Sequence, residues 1–106
     1  MMRRFTAKQE AADGKLLDYT VEYDLKKSPL KTSYYGSVFG GGNIDNVDTE
    51  LQLFTFSFTK GTSWSNISNI SIDSKYGDEL LNSVRDWFFE SLVISGIRHY
   101  ETVGQQ

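Results

Sequence analysis

The chain contains no cysteine among its 106 residues. That excludes disulfide bonds, thiolate-held zinc, iron–sulfur clusters and thiol nucleophiles together. Histidine occurs once, as His99, and proline once, as Pro29. No run of about 18 apolar residues is present to span a bilayer as a helix. The basic opening MMRRFTAKQE is not followed by the apolar stretch of a signal peptide. A cytoplasmic protein with no membrane contact is the expectation. Cationic excess is also missing: the net charge is −3 and the pI about 5.0. A general duplex-DNA binder needs a basic surface to displace counterions, so that class is disfavoured.

Aromatic side chains, by contrast, are plentiful at 14%, with seven Phe, six Tyr and two Trp. Rings of this kind dominate small cores and interfaces alike. Charge is uneven along the chain. Residues 1–31 carry seven Lys/Arg against five acids, whereas residues 32–106 carry four against nine. Such polarity can orient a protein toward a charged partner. The length suits a single domain over residues 1–106.

Alternation identifies the strands. In LDYTVEYDL, Leu17, Tyr19, Val21, Tyr23 and Leu25 share one face and polar residues the other, which is the pattern of a half-buried antiparallel strand. Asp13–Gly14 upstream signals a hairpin whose first arm is Met2 to Lys8. The competing assignment makes Thr6 the cap of a helix through AKQEAA. Pro29 breaks the chain because it cannot donate to a ladder. Thr32 to Phe39 reads as a third strand, Val47 to Lys60 as a fourth and residues 64–72 as a fifth, with Ile70 and Ile72 on one face. In LQLFTFSF the apolar phase slips by one residue between Leu53 and Phe54. A bulge there would put Leu51 and Leu53 on the face opposite Phe54, Phe56 and Phe58.

One helix is expected, from Asp78 to Ser95. Leu80, Leu81, Val84, Trp87, Phe88 and Leu92 recur at helical spacing, Asp78 is the N-cap and Gly96 the stop. Trp87 and Phe88 would then cover the three phenylalanines. IRHYETV would close the domain as a last strand. The expected fold is α+β in two layers: an antiparallel, strongly twisted sheet of five or six strands packed on one C-terminal helix, in the order β-β-β-β-β-α-β.

Chemical motifs are sparse. FGGGNID lacks the lysine of a phosphate loop and leads into a strand, so it reads as a long hairpin loop. Asp45, Asp48 and Glu50 lie close together, but their spacing does not match a calcium loop. They suit an acidic loop meeting a basic partner. His99 and Glu101 would share one face of a strand, where such a pair could do acid–base work, yet no nucleophile accompanies them. LFTFSFTKG has rings and a lysine, but not in the order of an RNA-recognition strand. No cofactor and no metal are expected.

A single helix covers one sheet face, and the sequence supplies more large apolar side chains than that layer needs. Either the sheet curls on itself, or an apolar patch remains for a partner. The expected function is therefore that of a small non-catalytic protein-binding protein of the inhibitor or immunity type found in bacteria and phages. It would bind another protein, or a second copy of itself, through Asp45, Asp48, Glu50, Leu51, Leu53, Tyr34 and Phe89. The alternative is a single-stranded nucleic-acid binder using sheet aromatics and the basic N-terminal segment. A small acid–base enzyme around His99 and Glu101 ranks third.

Overall fold

The computed structural model describes residues 1–10, 13–74 and 89–103. Five strands, β1 (Arg3–Glu10), β2 (Leu16–Lys27), β3 (Thr32–Gly40), β4 (Gln52–Lys60) and β5 (Ile67–Ser74), form one sheet in the order β1-β2-β3-β4-β5. Each neighbouring pair is antiparallel. A π-helical turn (Phe89–Ile94) runs directly into helix α1 (Ser95–Val103). The architecture is α+β in two layers, as the alternation and the apolar stripe implied.

The N-terminal segment is a strand, not a helix: Phe5 lies opposite Val21 and Ala7 opposite Tyr19. The side chains facing the helix form the core. Val21, Tyr23, Tyr34, Val38, Phe54, Phe56 and Phe58 come from the sheet, and Phe89, Leu92, Val93 and Ile97 from the helical segment. Phe89 reaches both Phe56 and Phe58, with ring centroids 5.8 Å apart in each case. Burying three phenylalanines contributes roughly 1.5–3 kcal/mol each, so this contact is a major part of what holds the layers together. Residues 75–88, which include most of the expected helix and both Trp87 and Phe88, lie outside the described residues.

The phase slip in LQLFTFSF is a bulge. Val38 pairs with Phe54 and Phe39 with Gln52, so Leu53 is the extra residue. Leu53 does not take the far face, however; it packs against the core cluster. Leu51 is not in the strand at all but in a single 3-10 turn, Thr49–Leu51. A second irregularity sits in β5. Ser57 pairs with Ser71 and Thr59 with Ser68, leaving Asn69 and Ile70 opposite Phe58. Asn69 has φ 54°, a left-handed conformation that asparagine tolerates. This irregularity separates two isoleucines that simple alternation puts together: Ile72 packs on the core, and Ile70 is 53% exposed.

The expected last strand is instead helix α1. Val93, Ile97, Tyr100 and Glu101 continue the i, i+4, i+7, i+8 stripe through Gly96. Gly96 does not stop the helix. It lies against the Phe5 ring, where a Cβ would sit 2.5 Å from Phe5 Cε2. Glycine is required there for close approach of helix and strand. At the far end, Glu101 accepts a hydrogen bond from Tyr23 Oη at 2.8 Å and pairs with the Arg3 guanidinium. One carboxylate thus ties α1 to β1 and β2.

Two expectations follow. Gly96→Ala gains up to about 1 kcal/mol of helix propensity but overpacks Phe5, which typically costs about 1–3 kcal/mol. Urea denaturation is expected to show a net loss near 1 kcal/mol, and Phe5→Leu in the same background is expected to recover part of it. The second concerns pH. Burial pushes the Tyr34 phenol up to about 12. Burial also raises Tyr23, with the Glu101 carboxylate adding to the shift. Unfolded tyrosines ionise near 10.0, so above that pH the unfolded chain releases protons that the native state keeps. The stability is full below pH 10 and falls as pH rises toward 12. Tyrosinate absorbance should appear together with loss of circular dichroism, and Tyr34→Phe should make the fall shallower.

Candidate interaction surfaces

The sheet face away from the helix is mostly polar, with Tyr35 and Phe39 of β3 as its aromatic residues. Arg4 pairs with Glu22 at 2.6 Å and Lys8 with Asp18 at 2.8 Å, each across β1 and β2. On β3, β4 and β5 the same face carries hydroxyls in register, Ser33 beside Thr59, Ser37 beside Thr55 and Ser57 beside Ser71. The apolar surplus is therefore not spread over a second sheet face. Tyr34 and Phe89 are each 3% exposed and belong to the core. Tyr34 stacks on Phe58 at 4.9 Å. Their burial removes both from any partner surface, whereas Leu53 is half-buried against the core. The rings of β4 are buried in the same way, so Phe54, Phe56 and Phe58 offer no exposed face for stacking a base, whereas Tyr35 on β3 is exposed.

His99 and Glu101 do not act as a pair. On a helix, residues two apart do not face one another. Glu101 turns inward to Arg3 and Tyr23, whereas His99 is exposed and lines a shallow groove with Lys8, Ser91 and Ser95. Among the described residues no group of three potential metal ligands occurs. No helix among them is long and apolar enough to cross a membrane.

Single apolar side chains are exposed at several points, Leu16, Leu17, Leu30 and Tyr35 among them, and two places set such side chains beside a hollow. The first is the loop between β3 and β4, residues 41–51. Its conformation is held from several sides. Gly41 has φ 89° and donates its backbone N–H to Asp18 O at 3.0 Å. Thr20, 1% exposed on β2, donates its hydroxyl to Gly41 O at 2.9 Å, with Asn43 O at 3.3 Å. Asn43 Oδ1 accepts from the backbone N–H groups of both Asp45 and Asn46. Asp48 Oδ1 accepts from Glu50 N and caps the 3-10 turn. The glycine run thus ends in an ordered knuckle that shields Phe39 and encloses a hollow of about 230 Å3. Asp45, Asp48 and Glu50 are exposed on it. Leu51 is 46% exposed, and Ile44 44%. Ile44 escaped notice in the sequence because a lone isoleucine among loop residues carries no periodic signal.

The second place is a groove of about 500 Å3 between β5 and the helical segment. Trp64, Ile67, Ile70 and Ile72 line one side, and Phe89, Glu90, Ile94 and Arg98 the other. Lys60 Nζ lies 4.9 Å from the centroid of the Trp64 ring, holding it by a cation–π contact. Glu90, Ile94 and Arg98 recur every four residues, a stripe visible in the sequence once the helix is carried past Gly96. A comparison with known protein families, curated proteins and solved structures finds no match for the chain.

One buried hydroxyl, that of Thr20, is among the bonds that hold the loop. Thr20→Val is nearly isosteric and removes the donor. Its expected cost is about 1–2 kcal/mol in urea denaturation, with faster amide hydrogen exchange across residues 41–51 and little change in the strands.

Proposed function

We propose that this is a small non-catalytic protein-binding protein, of the inhibitor or immunity type, which presents the 41–51 knuckle to a basic partner. The observation that carries the reading is the exposure of Ile44 and Leu51 on an ordered loop that also bears Asp45, Asp48 and Glu50. Binding energy at protein interfaces concentrates in a few apolar anchors ringed by polar groups. Acidic groups around such anchors steer a cationic partner and select against an anionic one. Order in the free loop lowers the entropy cost of association, which is how a small surface reaches useful affinity.

The non-catalytic part of the reading is supported by the separation of His99 from Glu101, which dissolves the one acid–base pair the sequence offered. The net charge of −3 supports the sign of the partner.

The test is affinity capture with matched baits. The wild-type chain is expected to retain a basic protein that elutes as salt is raised. Asp45→Lys and Leu51→Ala are each expected to cut the retained amount at least tenfold (~1.4 kcal/mol). Asp48 is left intact because it caps the 3-10 turn. Equal retention by wild-type and variant baits, with the variants folded, would sink the reading.

A further inference from the structure

The groove beside β5 shares no residue with the loop, and its helical wall has an order of its own. Glu90, Ile94 and Arg98 follow one another at four-residue intervals and all face the groove. An acid stands at one end, a base at the other and an apolar side chain midway. Neither Glu90 nor Arg98 has an ion-pair partner among the described residues. Their backbones are separated by a helical rise on the order of 10 Å, and no ion pair joins them.

We propose that this stripe pairs with the same stripe of a second copy of the chain, related by a two-fold axis through Ile94. In an isologous contact residue i meets residue j of the other copy, and j meets i. Setting two such stripes antiparallel places Glu90 against Arg98 of the second copy and Arg98 against its Glu90. Ile94 meets Ile94 on the axis. The pattern acid–apolar–base is therefore complementary to itself, and a parallel arrangement would set like charges together. Each groove supplies apolar surface around that axis, from Ile70, 53% exposed, and from the partly buried Trp64, Ile67, Ile72 and Ile94.

The edge of β5 does not offer an equally good site for the second copy. The irregularity at Asn69 interrupts the strand near its middle, and such bulges discourage edge-to-edge pairing. Side chains of the helix and the groove, not a continued sheet, make the contact. The acidic knuckle remains free in such a dimer, so the dimer and the partner reading of the loop stand or fall separately.

The experiment is a charge-swap cycle read by light scattering and sedimentation over a range of concentrations. The wild-type chain is expected to approach twice its monomer mass and no more. Glu90→Arg and Arg98→Glu each set like charges together twice, and each is expected to weaken dimerisation at least tenfold. Both residues are exposed, and circular dichroism should confirm that the fold is kept. Mixing the two variants is expected to restore a dimer containing one of each, because both contacts are again of opposite sign. The double variant E90R/R98E is expected to dimerise with itself. A monomeric wild type at every concentration would overturn the proposal. So would growth beyond the dimer, single variants that dimerise as wild type does, or a mixture that stays monomeric.

Discussion

Phe54, Phe56 and Phe58 occupy one face of β4 and must be kept from water. Most of the fold follows from that requirement. Their strand lies between β3 and β5, and they meet Phe89 and the residues that follow it in the helical segment. The need to cover them brings the C-terminal segment across the sheet, and the segment then has to be held there. Gly96 allows it to approach Phe5, and Glu101 fastens its far end to Arg3 and Tyr23. Carboxylate, guanidinium and phenol come from three different elements. The closing contact therefore forms only when the layers are correctly aligned.

Because the helix covers most of the aromatic side chains, the other sheet face can be largely polar, with Phe39 covered by the loop and Tyr35 exposed. It is laced by Arg4–Glu22 and Lys8–Asp18 on one side and by serine and threonine on the other. Two of the exposed apolar side chains, Leu51 and Ile70, lie beside places where the regular structure is interrupted. The bulge at Leu53 returns that side chain to the core, whereas Leu51 is left on the knuckle. The irregularity at Asn69 turns Ile72 inward and leaves Ile70 at the groove. Two departures from ideal strand geometry thus accompany the exposure of Leu51 and Ile70.

Those two places differ in character. The knuckle is acidic, ordered by Thr20, Asn43 and Asp48, and suited to an unlike, basic partner. The groove carries balanced charges on Glu90 and Arg98 and is suited to its own copy. A dimer formed through the groove would display two knuckles, and two linked weak contacts can hold a partner far more tightly than either alone.

By itself the sequence determined the parts governed by local periodicity. Alternation in residues 17–25 marked β2, the slip at Leu53–Phe54 marked a bulge, and the three phenylalanines marked a face needing a helix. It also established what chemistry is missing, since a residue type that is absent cannot act. Tertiary structure decided the rest. Gly96 looked like a helix stop because glycine commonly is one; only the Phe5 ring against it shows why glycine stands inside a helix. IRHYETV alternates well enough for a strand, and it becomes a helix because Ile97, Tyr100 and Glu101 find the core, Phe5 and Arg3 only at helical spacing. Tyr34, Leu53 and Phe89 read as surplus from the sequence, which counts apolar side chains but not the space a packed layer has for them. Which apolar residues stay outside is settled by that space, and hence by contacts far apart in the chain.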